Sequence, residues 1–269
     1  MHSRNFWILL SLTFAAACQG VSGGVRAPGS SPLRFGLFQN SYWGGGFERP
    51  LFLAFSDGTV LFPRERTNGI PSQYSVIHLT PTGVDSVLSA IGAGDSLSDL
   101  DSLYDFAPGT SDQHSFFAVV QLASGSRLIQ IRSGLSDSLR LRADVPRAFA
   151  RVYSNVMSFT APRAEAWTPD SIVISIWPYE YAPDDPPVAW PARWPGLADA
   201  RWRRRADDVV GDIRSVRLPF RETALLDSLL KARREKQAVG ISGKKWAVDY
   251  RWIFPHDSSW AWIRKRVDS

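Results

Sequence analysis

A single cysteine in 269 residues, Cys18, excludes an internal disulfide. No stretch supplies the roughly 20 apolar residues that a membrane-crossing helix needs, and the apolar run Phe6–Ala17 stops short of that length. Beyond the start of the chain, histidine is limited to His78, His114 and His256, too far apart to form the close pairs of a zinc motif. Asp112-Gln113-His114 offers half a metal site with no matched second half. Asp95, Asp99, Asp101 and Asp105 lack the order and the distal glutamate of a calcium loop, which leaves a solvated linker. No Gly-x-Ser-x-Gly elbow is present. Gly240-Ile-Ser-Gly243-Lys-Lys245 is not a phosphate loop, because Ala238 and Lys245 stand where that loop needs glycine and a hydroxyl residue. Ser242 and Lys245 have Ser-x-x-Lys spacing but fall in a hairpin turn, without the companion motifs of penicillin-binding enzymes. No metal and no cofactor is expected.

What is present begins at the start of the chain. Arg4 precedes the uncharged Phe6–Ala17 run, and small residues follow, the order of a secretory signal over residues 1–17. Phe14-Ala15-Ala16-Ala17-Cys18 resembles the lipobox of bacterial lipoproteins, with Ala15 where leucine is commoner. The resemblance implies cleavage before Cys18, a diacylglyceryl thioether on its sulfur and an acylated new N-terminus. Several acyl chains anchor far more firmly than one, since each buried CH2 contributes about 0.8 kcal/mol. The alternative is an ordinary signal cut after Ala17 that leaves a free thiol. Lipid attachment explains why the only cysteine sits at the cleavage edge of an exported chain. Gln19 stands where aspartate marks inner-membrane retention, so the periplasmic face of the outer membrane is expected if the cell has one.

Removing residues 1–17 leaves 252, enough for one large domain or two small ones. A composition of 44% hydrophobic and 21% charged residues suits a globular chain rather than a disordered one. Residues 18–32 are rich in glycine and serine and read as a flexible tether, with a globular domain over 33–269. The net charge of +5 is concentrated late, in Arg201, Arg203, Arg204 and Arg205, then Lys231, Arg233, Arg234 and Lys236, then Arg264, Lys265 and Arg266. Such a surface either meets anionic lipid or an acidic partner, or is simply a solvated face. An exported chain has no occasion to meet nucleic acid.

Leu51–Phe55 and Thr59–Phe62 flank Asp57-Gly58, a tight hairpin. Tyr74–Leu79 is a strand. Thr80 then caps a helix with Pro81 at its first position, Val84, Val87, Leu88 and Ile91 on one face and Gly92 as its stop. A second hairpin pairs Phe116–Leu122 with Leu128–Ile131, and Asp144 is placed to cap a helix bearing Phe149, Val152, Tyr153 and Val156. Ser171–Trp177 is a further strand. Prolines 178, 183, 186, 187, 191 and 195 make 178–202 a long ordered loop carrying Trp190, Trp194 and Trp202. Ile213–Leu218 is a strand, and Arg221–Lys236 a helix with Leu225, Leu226, Leu229 and Leu230 inward and Glu222 complementing its dipole. A last hairpin joins Val239–Ile241 to Lys245–Pro255, where Trp246, Val248, Tyr250, Trp252 and Phe254 alternate with polar or small residues. Hairpins with three separated helices predict an α+β fold, an antiparallel sheet with about three helices packed on it. Two halves, 33–165 and 166–269, are expected without strict repetition.

The same features carry a wider resemblance. Arg49-Pro50 leading to Asp57-Gly58-Thr59-Val60, Leu79-Thr80-Pro81-Thr82-Gly83 opening a helix, the Trp190-Pro191 and Trp194-Pro195 loop and the closing Lys245–Pro255 strand are similar to a group of secreted lipoproteins of high-GC bacteria. That resemblance spans most of the chain after the signal. It implies lipid attachment at Cys18 and no particular activity.

Trp167, Trp177, Trp190, Trp194 and Trp202 fall within 36 residues. Exposed tryptophans bind sugars or cationic groups and favour interfaces, whereas buried ones simply pack. Trp260 and Trp262 beside Arg264–Arg266 form a short amphipathic tail. Trp190, Trp194, Trp202, Arg203, Arg204 and Arg205 are the candidate binding surface. The function expected is a non-enzymatic binding or accessory lipoprotein of the cell envelope, with the membrane as one partner and envelope proteins or glycans as others. The alternative is an envelope hydrolase or carbohydrate-processing enzyme with dispersed carboxylates.

Overall fold

The computed structural model describes residues 32–40, 48–64, 73–108, 115–122, 125–137, 140–204, 212–234 and 236–256. Residues 1–31 with Cys18, Asp112, His114, Arg205 and the 257–269 tail with Trp260 and Trp262 lie outside them.

The first part of the chain runs β1 (Leu33–Asn40), β2 (Glu48–Phe55), β3 (Thr59–Pro63), β4 (Tyr74–His78) and α1 (Pro81–Ile91). It continues through β5 (Leu103–Asp105), β6 (Ser115–Leu122), β7 (Gly125–Arg132), β8 (Leu135–Asp137), β9 (Arg140–Leu141), α2 (Arg147–Ser158) and β10 (Glu165–Trp167). The second part comprises β11 (Ser171–Pro178), β12 (Val188–Ala189), β13 (Arg203–Arg204), β14 (Arg214–Pro219), α3 (Thr223–Ala232), β15 (Val239–Ile241) and β16 (Lys244–Trp252). The fold is α+β.

The strands form two large sheets rather than one. The first has the order β10-β4-β3-β2-β1-β6-β7-β5, the second β12-β15-β16-β11-β14-β13. Pairing is antiparallel except at two edges, where β5 runs parallel to β7 and β12 parallel to β15.

Local chemistry sets the elements. At the β2–β3 turn Gly58 adopts φ +94°, its N–H donates to the Phe55 carbonyl at 3.1 Å, and Asp57 Oδ1 accepts the Thr59 N–H at 2.9 Å. Thr80 Oγ1 accepts the Gly83 N–H at 3.2 Å to start α1, with Pro81 at the first helical position, where its missing N–H costs nothing. Val84, Val87, Leu88 and Ile91 are buried, the period-3.6 stripe of an amphipathic helix. In α2 Phe149, Val152, Tyr153 and Val156 form the corresponding stripe. Asp144 does not cap it: the chain enters at Pro146 with no side-chain cap, and Asp144 instead takes both ends of the Arg142 guanidinium at 3.1 Å. The third helix is shorter than its leucine pattern implies. A 3-10 turn, Phe220–Glu222, precedes it, and it ends at Ala232 rather than Lys236.

Each face of the first sheet has its own partner. On one face Phe35, Leu37, Phe52, Ala54, Val60, Phe116, Ala118 and Ile131 pack against α1 and α2. On the other, Phe38, Leu53, Phe55, Leu61, Tyr74, Phe117 and Val119 join Ile172, Ile174, Ile176, Val216 and Leu218 of the second sheet, together with Leu226 and Leu229 of α3. Full burial of one such side chain contributes about 1.5–3 kcal/mol, so the fold rests on these two layers. Rings lock the sheets together: Trp252 lies 5.3 Å from Tyr74 and 6.2 Å from Trp167, and Trp167 stacks on Phe254 at 5.3 Å and 16°.

Candidate functional site: the tryptophan loop

The segment between β11 and β14 is ordered by hydrogen bonds that its own backbone supplies. Val188 and Trp190 donate to the Ala238 and Gly240 carbonyls, which fastens the loop to the edge strand β15 as the short parallel strand β12. Prolines on either side prevent this pairing from extending. Further along, Trp190 Nε1 donates to the Pro195 carbonyl at 3.1 Å and Trp202 Nε1 to the Gly196 carbonyl at 2.9 Å. Trp194 is 5% exposed and donates its indole N–H to Glu222 Oε2 at 2.7 Å. The rings of Trp190 and Trp194 meet edge to face at 4.9 Å, and those of Trp190 and Trp202 lie 6.1 Å apart. Trp190 and Trp202 are half-buried against the core.

The structure thus brings the three tryptophans together and separates the arginines from them in role. Arg203 and Arg204 are exposed on β13, where Arg203 pairs with Ser215 and Arg204 with Arg214 of β14. Arg204 also faces Asp212 at 3.3 Å, and Arg214 binds the same carboxylate at 2.5 Å. Asp212 is held below the ordinary carboxylate range, chiefly by the Arg214 hydrogen bond. Arg201 takes Asp199 through both guanidinium ends at 3.0 and 2.8 Å, which lowers that carboxyl to about 2. Arg201 and Arg204 thus each have a carboxylate beside them, the one at Arg204 being shared with Arg214. These exposed pairs are screened by solvent and contribute little to stability.

Glu222 carries no signal in the sequence beyond its place near a helix start. Its carboxylate accepts from Trp194 Nε1 and from Arg193 Nε and Nη2 at 3.1 and 2.8 Å, and the Trp194 bond, followed by Arg193, pulls its pKa below the usual value. A depressed pKa means that the charged form stabilises the fold above the unfolded value near 4.5 and that this contribution is lost as pH falls through the folded pKa. Glu222→Gln keeps an acceptor for Trp194 and removes the charge. It should cost about 1–2 kcal/mol at neutral pH, and the gap should close below pH 4.5. Thermal midpoints of both forms from pH 7 to pH 2.5 measure this. A constant gap would assign the effect to packing instead of charge.

Two other groups stand apart. His256, an isolated histidine in the sequence, lies with Nε2 2.8 Å from Asp57 Oδ2 and its ring 4.8 Å from that of Phe55, so the end of the described chain is tied to the β2–β3 turn. Burial raises the Asp57 pKa, but the Thr59 N–H and His256 outweigh it and the net shift is downward. His78 is exposed at the end of β4. Among the described residues no group of three or more His, Cys, Asp or Glu is placed to hold a metal, and no helix is long and apolar enough to cross a membrane. An open groove of about 270 Å³ at the C-terminal end of α2 is lined by Phe62, Ser75, Phe159, Ala161, Ala164 and Ala166, with Arg64 beside it. No family model, curated protein or solved structure matches the chain.

Proposed function

We propose that this chain is a cell-envelope lipoprotein, anchored through Cys18, whose folded part is a non-enzymatic binding or accessory module. The Phe6–Ala17 run and the cysteine at its edge support the anchor, and the glycine- and serine-rich 18–32 segment supports a tether. The observation that carries the binding role is the surface of Trp190 and Trp202. Both rings are half-buried and fixed, and both indole N–H groups are spent inside the loop. What they offer a partner is a rigid aromatic face, which binds with little loss of side-chain entropy. Envelope proteins or glycans are the partners that suit it. Asp199, Asp212 and Glu222, on and beside the loop, are each held by an arginine, which suits structural pins better than an acid–base pair.

Crosslinking in intact cells, followed by affinity capture and mass spectrometry, tests this on the wild type, Trp190→Ala/Trp202→Ala and Cys18→Ala. The wild type should capture a defined set of envelope partners, and the double variant should lose about tenfold or more of that yield. Cys18→Ala should move the protein out of the membrane fraction. Equal capture by the double variant removes the tryptophan surface, an empty wild-type capture removes the protein partner and leaves a glycan or small molecule as the ligand of the loop, and continued membrane association of Cys18→Ala removes the anchor.

A further inference from the structure

We infer that Ser115, Gln130 and Arg132 form a binding site for a small oxyanion, the carboxylate or phosphate group of a ligand. The inference rests on the first sheet alone and is independent of the tryptophan loop and of the anchor.

The register of β6 and β7 builds the site. Val119 stands opposite Leu128, Phe117 opposite Gln130, and Ser115 opposite Arg132. Residues directly opposite one another, and residues two apart on one strand, share a face. All six therefore point to the side on which Phe117 and Val119 meet the second sheet. Along that face the strands turn from apolar to polar within two pairs. The opposite face of the same strands does not: Val120, Ala118 and Phe116 run beside Ile129 and Ile131, and all five are buried.

Ser115 and Gln130 are sealed in, and Arg132 reaches them with one buried guanidinium nitrogen. Ser115 is 0% and Gln130 8% exposed, and Arg132 is half-buried. Ser115 Oγ, Gln130 Nε2 and Arg132 Nε are shut from solvent and have no hydrogen-bond partner among the described residues. Buried polar groups in folded proteins are nearly always satisfied, so three unsatisfied ones on one face of two paired strands call for an occupant. The amide nitrogen and the guanidinium nitrogen can only donate, and the hydroxyl can donate as well. The occupant must then be an acceptor. Its charge follows from Arg132. The register neighbour Asp105 on β5 is exposed, and its Oδ1 accepts the Ala107 N–H at 3.1 Å. Among the described residues no carboxylate makes an ion pair with Arg132. Water would supply acceptors but no charge, whereas an oxyanion supplies several lone pairs and the counter-charge together.

The test titrates the full chain with acetate, inorganic phosphate and chloride at matched ionic strength and pH. The side-chain amide of Gln130 is followed by 15N NMR and assigned by its disappearance in Gln130→Leu. A saturable shift with acetate or phosphate and none with chloride is expected, alongside a rise in thermal midpoint. Arg132→Gln and Ser115→Ala should weaken binding, the former about tenfold or more. A response to acetate alone assigns a carboxylate, and a response to phosphate alone or to both assigns a phosphate-sized site. Absence of a saturable shift with either anion overturns the inference, as does a shift that both variants leave unchanged. The titration of the unmodified chain decides even if a variant does not fold.

Discussion

Trp252→Ala should destabilise the protein by about 3–5 kcal/mol, the range for removing a large aromatic from a packed core. Trp252 is 7% exposed and stands where the two sheets meet. Its ring lies 5.3 Å from Tyr74 of the first sheet, 6.2 Å from Trp167 on its edge strand and 5.6 Å from Phe220 at the entry to α3. Truncation opens a void with walls from three elements that cannot all collapse into it. The same residue also carries a cost: its Nε1 is buried with no acceptor among the described residues. Trp252→Phe removes that orphan donor while keeping a ring, so its penalty should be about 1 kcal/mol or less, because lost area and relieved desolvation oppose each other. Denaturant unfolding of the three forms measures both effects. A Trp252→Ala cost under about 1 kcal/mol would mean that this cluster does not join the sheets, and equal costs for the two variants would mean that the indole N–H is satisfied in solution.

The elements legible in the sequence are those whose cause is local. The Asp57-Gly58 hairpin, the Thr80–Gly92 helix and the alternating strand Lys244–Trp252, which stops short of Phe254, each follow from residues within a few positions of one another. β1 was not legible as a strand, although it is central to the first sheet. Its apolar residues Phe35, Leu37 and Phe38 hide the alternation because both faces of the strand are buried: Phe35 and Leu37 enter one core, and Phe38, one residue on, enters the other. Its partners are distant in sequence: Phe35 pairs with Ala54 on one side and with Val120 on the other. The division into two stacked sheets depends on such pairings, and no periodicity encodes them.

Nearby chemistry can also redirect a local signal. Asp144 has the right residue type for a cap, but Arg142 two positions earlier captures it and Pro146 sets the entry of α2. Glu222 has the right place to complement a helix dipole, but Trp194 and Arg193, 28 and 29 residues earlier, take its carboxylate. The tryptophans of the loop stood out by density alone, and their separate acceptors, the Pro195 and Gly196 carbonyls and the Glu222 carboxylate, did not. The polar turn of β7 was in plain view as Leu128-Ile-Gln-Ile-Arg132, where Gln130 occupies a core-facing position. A glutamine on the inward parity of a strand was the available signal for the buried donor cluster.

Gly58→Ala should cost about 2–4 kcal/mol, more than backbone strain alone explains. Gly58 sits at φ +94°, where an L side chain is strained by roughly 1–2 kcal/mol. The larger part is a collision. A Cβ at this position would fall 1.9 Å from the Leu79 carbonyl oxygen, which is backbone and cannot rotate aside. Leu79 is held in turn, since its N–H donates to the Gly58 carbonyl at 2.9 Å and Thr80 immediately caps α1. Relief would require moving either the β2–β3 turn or the entry to the helix, and Asp57 in that turn also holds His256. Gly243→Ala provides the control. Gly243 has φ +76° in the β15–β16 hairpin, and nothing lies within 4 Å of a Cβ added there. It should therefore show the strain alone, about 1–2 kcal/mol. The difference between the two substitutions, read from denaturant midpoints at a common slope, isolates the contact between turn and helix. Equal losses would show that the Leu79 carbonyl yields without cost and that the hairpin and α1 are not rigidly joined.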